Sequence, residues 1–250
     1  MKAGLSVENL VVSYGGNAVL SSISFRLESG QTLAIIGRSG CGKSTLLRAI
    51  CALQPADRGD VSISGQTIIK DGRSVFEEWE IRRHIMMVGQ GNGLIPHLTA
   101  LRNITIGLEV VLGLPASETK ARAEQIGEEL GLTQVLQQYP EQLSAGQVQR
   151  VQLARAAVLQ PDYLLLDEVT SAIDPPTIKE MTAALYRLRA RMVGNEQTIV
   201  LVTHLLSFAF DFADRVIFLH DGVVYEEGVA RDFQASARHS ETIGFLQGIS

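Results

Sequence analysis

An α/β fold built on a largely parallel sheet is predicted by three features of this 250-residue sequence. Short apolar runs recur along the chain, each long enough for one strand: Leu33-Ala34-Ile35-Ile36, Tyr163-Leu164-Leu165-Leu166 and residues 198–203. Continuous apolar runs of this kind are expected of strands covered on both faces. Helical patterns over 44–52, 99–160 and 177–192 separate them, and strands alternating with helices imply helices on both sides of a parallel sheet. The composition, 46% hydrophobic and 20% charged, supplies ample material for a core.

In chain order, residues 5–36 alternate apolar and polar positions and carry Gly15-Gly16 and Ser29-Gly30 as turn signals, which predicts short strands. Residues 61–70 (VSISGQTIIK) predict a hairpin. Residues 99–160 predict a helical insertion beside the sheet, with Ser117 capping one helix and Gly131 ending it. A strand follows Pro161, then the helix at 177–192 and strands at 198–203 and 215–219. With no repeat, low-complexity tract or long linker, one domain over 1–250 is expected.

The net charge of −5 argues against a general nucleic-acid binder, which would carry a basic patch. Glu8 and Asn9 interrupt any apolar leader, so no signal peptide is expected. The longest apolar run, 198–210, is broken by His204 and falls short of the about 20 residues that span a bilayer. Any membrane role is therefore expected to come through a partner. Two cysteines, Cys41 and Cys51, suggest a reducing compartment.

Gly37-Arg38-Ser39-Gly40-Cys41-Gly42-Lys43-Ser44, followed by Thr45, matches G-x-x-x-x-G-K-[ST] between an apolar strand and a helix. Glycines let such a loop wrap closely around phosphate with its N–H groups inward, and the helix adds its positive end. Lys43 is expected to reach the β- and γ-phosphates and the Ser44 hydroxyl to ligate Mg2+. Leu164-Leu165-Leu166-Asp167-Glu168 puts two carboxylates at the carboxyl end of a second strand, where open α/β sheets bind ligands. Asp167 is expected to hold Mg2+ and Glu168 to orient and polarise an attacking water. The same pair also reads as an acidic start to the next helix. Cys41 has two readings: a thiolate favoured by Lys43 and the helix end, or a small buried residue filling a tight turn.

Leu143-Ser144-Ala145-Gly146-Gln147, just before the helix leading into 163–168, resembles the signature motif of ABC-transporter ATPases. Other elements follow in that family's order over nearly the whole chain. Tyr14 resembles the residue that stacks on adenine, and Gln90 the Q-loop glutamine that touches Mg2+ or water. Ser171-Ala172-Ile173-Asp174 resembles the D-loop, and His204 the switch histidine at the γ-phosphate. Plainer readings stand beside these: Tyr14 packing between strands, Gln90 in a surface loop, His204 as a core histidine and Ser144 as a helix cap. Ala145, Val169 and Gly89 occupy positions where the family usually has glycine, proline and an aromatic residue.

The resemblance implies an ABC-type P-loop ATPase with a mainly parallel core sheet, a small N-terminal antiparallel sheet and a helical subdomain at about 95–160. It implies a homodimer, or a pair with a paralogue, around two ATP, with Ser144, Ala145, Gly146, Gln147 and Asp174 closing the other copy's site. The partners implied are an integral membrane permease, contacting the segment 91–101, and an extracytoplasmic substrate-binding protein. The location implied is peripheral, at the cytoplasmic face of the membrane. Three runs, 95–99 (IPHLT), 213–219 (ADRVIFL) and 238–246 (RHSETIGFL), resemble polar amino-acid importers, with lipid, lipoprotein or export systems as the alternative. A chromosome-maintenance ATPase head would need a long coiled coil between Gln90 and Ser144, which are only 54 positions apart, without sustained heptads. A nucleotide sensor without turnover is opposed by the presence of Lys43, Glu168 and His204 together.

Overall fold

The computed structural model describes residues 4–89, 93–170 and 174–248. Among them, two sheets organise the chain. The first is antiparallel, in the order β2-β1-β4-β5-β6: β1 (Leu5–Tyr14), β2 (Asn17–Leu27), β4 (Arg58–Ile63), β5 (Gln66–Lys70) and β6 (Arg73–Ser74). β1 and β2 are long strands of 10 and 11 residues with shifts of register, not the short strands that the alternation predicts.

The second sheet runs β11-β10-β3-β9-β8-β7: β11 (Val223–Val229), β10 (Arg215–His220), β3 (Thr32–Ile36), β9 (Thr198–Val202), β8 (Tyr163–Asp167) and β7 (Ile85–Val88). All its pairings are parallel except β10 with β11. The three central apolar runs alternate between two cores. Leu33, Ile35, Leu165, Val200 and Val202 face α1 (Lys43–Ile50) and the antiparallel sheet, while Ala34, Ile36, Leu164, Leu166 and Leu201 face the other helices. A strand with two apolar faces can only be satisfied in such a sandwiched position.

Between β6 and β7 lies α2 (Glu78–His84). The helical region comprises α3 (Ala100–Leu112), α4 (Ala116–Glu129) and α5 (Ala145–Ala157), all feeding one apolar cluster. Gly131 follows the last turn of α4 with φ 67°, as a left-handed helix stop requires. The start of α4 differs from expectation. Pro115 occupies the cap and Ser117 lies inside the first turn, because proline's fixed φ suits a helix entrance and leaves no N–H to satisfy. The remaining helices are α6 (Pro175–Gly194), α7 (Leu206–Phe212), α8 (Ala230–Ser236) and α9 (Ser240–Gln247).

Candidate nucleotide site

β3 delivers the chain to Gly37 at the carboxyl edge of the parallel sheet, and the loop then turns into α1. A Cβ on Gly37 would lie 2.2 Å from the Leu219 carbonyl oxygen, so only glycine fits against β10 there. Gly42 caps α1 with φ 103°, a left-handed conformation that side chains disfavour. Arg38, Ser39 and Gly40 are exposed on the outer side of the loop, and Ser44 and Thr45 are half-buried in the first turn of α1. Lys43, only 4% exposed, donates from Nζ to the carbonyl oxygens of Gly37 and Arg38, both at 2.9 Å. Its ammonium thus sits inside the loop at the positive end of α1.

Cys41 is buried, and burial pushes its thiol above the ordinary range, outweighing the lowering effect of Lys43. The thiolate expectation is therefore wrong: charge favours ionisation, but desolvation opposes it more strongly. Brief maleimide treatment of the folded protein is expected to label Cys41 no faster than Cys51, whose thiol burial raises to about 11. Peptide mass spectrometry, with a urea-unfolded sample as reference, checks this. Selective labelling of Cys41 would contradict it.

Strand order β3-β9-β8 brings distant residues together. Ser44 Oγ donates to Asp167 Oδ1 at 2.8 Å, across 123 positions of sequence. Asp167 is 1% exposed, and burial raises its carboxyl above the usual range against the lowering effect of the Ser44 hydrogen bond. Glu168 follows with φ 53°, rare for a non-glycine residue and characteristic of functional sites. Its N–H donates to the Val202 carbonyl at 3.0 Å, which holds the turn. Its Oε1 lies 2.6 Å from His204 Nε2, beyond the end of β9. His204 is half exposed, not enclosed in the core. Tyr14 ends β1 beside the Gly15-Gly16 turn and is 44% exposed, so it is not packed between strands.

A second cluster lies at two helix starts. Ser144 caps α5: its Oγ accepts from the Gln147 N–H at 3.3 Å, and Gln147 Oε1 accepts from the Ser144 N–H at 2.8 Å. Asp174 caps α6, accepting from Thr177 Oγ1 at 2.7 Å, and that hydrogen bond holds its carboxyl below the usual range. The two starts touch. A Cβ on Gly146 would lie 2.0 Å from Thr177 Cγ2. Ser144 and Ala145 remain exposed. Gln90, Gly91, Asn92, Ser171, Ala172 and Ile173 lie outside the described residues.

Of the apolar residues in segment 93–101, two are buried, Ile95, Leu98 and Leu101 are half-buried, and Pro96 is exposed. Leu94 and Ala100 are buried, and the buried Asn103 amide binds the Ile95 backbone and the Leu98 and Thr99 carbonyls. Exposed apolar side chains gather elsewhere, on α2 and at the carboxyl end of α3. Trp79 (58% exposed) and Val110 (77%) line a groove of about 920 Å³ with Met86, Val111, Leu112 and Leu159. The sequence reading missed this groove, although a lone tryptophan in a charged helix was a signal for it.

Residues 20–171 match the family model described as ABC transporter, a span that includes Gly37–Ser44, Ser144–Gln147 and Asp167–Glu168. The L-cystine transport system ATP-binding protein TcyN of Escherichia coli (strain K12) is 38% identical over 98% of each chain. The glutamine transport ATP-binding protein GlnQ of Bacillus subtilis (strain 168) is 36% identical over 98% of each. The dimeric ATP-binding cassette MJ0796, solved in a post-hydrolysis state bound to ADP and Pi, superimposes with a TM-score of 0.78 at 30% identity, covering 91% of this chain and 99% of that one. The chain belongs to the ABC transporter family. It is an ATP-binding ABC cassette with ATPase activity, homologous to the ATP-binding subunits of amino-acid importers.

Proposed function

We propose that the chain, as one ATPase unit over 1–250 with a helical subdomain at about 95–160, pairs with a second copy or a paralogue around two ATP and drives a separate permease. The observation that carries this reading is the split of the site into two clusters. Lys43, Ser44, Asp167, Glu168 and His204 gather at the phosphate loop, whereas Ser144, Ala145 and Asp174 form an exposed surface at two other helix starts. A second phosphate-facing helix start has no work in one chain, and in a two-fold pair it completes the other copy's site. The solved dimeric relative supports the same arrangement.

In this reading Lys43 exchanges the Gly37 and Arg38 carbonyls for anionic phosphate oxygens, a stronger hydrogen bond. Glu168 takes the proton of the attacking water, and His204 orients Glu168 and reaches the γ-phosphate. Tyr14 offers an open ring face to adenine, and Gln90 completes the water or metal contacts. Mg2+ fits Ser44 and Asp167: both are oxygen donors, and a cation relieves the penalty that burial places on the Asp167 carboxylate. When bound, the ion neutralises charge on the phosphates.

Among the described residues no helix is long and apolar enough to cross a membrane. A peripheral place at the cytoplasmic face follows from a permease partner. The segment 91–101 and the apolar groove at Trp79 and Val110 are the surfaces suited to such a partner. The relatives named for L-cystine and glutamine transport agree in class and differ in substrate. This supports import of a polar amino acid chosen by the permease, with an extracytoplasmic binding protein delivering it. Val110→Cys is expected to crosslink to the permease when the two are expressed together, and Glu8→Cys on the antiparallel sheet is not. The reverse pattern would place the permease elsewhere.

A further inference from the structure

The starts of α5 and α6 are joined by more than the Gly146–Thr177 contact. Arg150 lies six residues beyond the Ser144 cap, and Glu180 lies six beyond the Asp174 cap. The two meet across the helix pair, with Arg150 Nη1 donating to Glu180 Oε2 at 2.7 Å. The Arg150 side chain is only 10% exposed, whereas that of Glu180 is 61% exposed, and Arg150 Nε has no hydrogen-bond partner among the described residues. A guanidinium taken this far out of water depends on its one carboxylate partner. Deeper along the helices, Val151, Met181 and Ala184 belong to the common apolar core. Apolar packing of that kind resists separation but tolerates small sliding of one helix along the other. A directional ion pair near the helix starts opposes the sliding itself.

We propose that Arg150 and Glu180 are positioning residues that hold the starts of α5 and α6 in one register. The exposed Ser144, Ala145 and Asp174 then meet the second copy as a single preformed surface. This inference rests on the two-subunit reading above. Neither residue touches the phosphate loop, so the pair acts on closure of the dimer and leaves ATP capture by one subunit alone. A shear of about an ångström between the helices would misplace the capping groups on both, and errors of that size are costly in sites that must close around a reacting group.

The test uses the full chain carrying Glu168→Gln, alone or with Glu180→Gln, Arg150→Met or both. Binding of a fluorescent ATP analogue is measured at protein concentrations where the chain is monomeric, and ATP-driven dimerisation by sedimentation. Glu180→Gln is expected to leave monomer binding within about twofold and to weaken the dimer about tenfold. The double variant is expected to be no worse than the worse single one, because the pair works as a unit. Glu180→Gln replaces an exposed carboxylate with an amide of the same shape, so the test stands even if Arg150→Met fails to fold. Unchanged dimerisation would overturn the inference, as would equal losses in monomer binding, dimerisation and Tm, which mark a merely structural role. If Glu168→Gln alone fails to dimerise with MgATP, the two-subunit reading falls and takes this inference with it. If it dimerises and the added substitutions change nothing, only the inference falls.

Discussion

Glu168→Gln is expected to lower ATP hydrolysis by about 100-fold or more while leaving ATP binding intact, since a positioned general base contributes about 10²–10⁴-fold. The amide keeps the shape of the side chain but cannot take the proton of water. The left-handed turn at Glu168 is held by its N–H bond to Val202, which the substitution leaves in place. The contact with His204 at 2.6 Å also survives in an altered form, because the amide oxygen still accepts. Phosphate release from purified protein at saturating MgATP measures the effect. Near-normal turnover would remove Glu168 from the role of base.

Lys43→Met is expected to cost about 10²–10³-fold in kcat/KM, the scale on which one preorganised charge donor acts in a water-poor site. Methionine keeps the stem and fills most of the same buried volume, so the fold persists. What disappears is the ammonium that bridges the Gly37 and Arg38 carbonyls and confronts the phosphates. Here, unlike Glu168→Gln, nucleotide binding itself is expected to weaken, because the lost charge acts on bound ATP as well as on the transition state. Equilibrium binding of a fluorescent ATP analogue separates the two variants. Normal binding by Lys43→Met would mean that its ammonium serves the loop and not the phosphates.

The phosphate loop was readable because its constraints are local: Gly37 and Gly42 must be glycine for reasons set by the loop and its immediate neighbours. The central strands were readable because residues buried on both faces leave a continuous apolar run. The shared Mg2+ role expected of Ser44 and Asp167 already brought the two together, but the strand order that does so, with β9 between β3 and β8, was not legible. Elements at 78–88 were also missed. Glu78–His84 is mostly charged and exposed around Ile81, and the four-residue β7 is too short to show a period. The Cys41 error has a plain cause: Lys43 and the helix end are visible in sequence, but desolvation is a property of the packed loop. The segment 91–101 read as an apolar patch; among its described residues Leu94 and Ala100 are buried and the Asn103 amide ties down Ile95, Leu98 and Thr99, while the exposed Trp79 and Val110 lie on other elements. Ser144 proved to be a helix cap, which agrees with the plainer reading and leaves its exposed face available to a second copy.

Sedimentation of the Glu168→Gln protein with and without MgATP tests the two-subunit account most directly. The account predicts a monomer without nucleotide and a stable dimer with it, holding one ATP per chain at two interfacial sites. A monomer that binds ATP without associating, or a dimer indifferent to nucleotide, would contradict it.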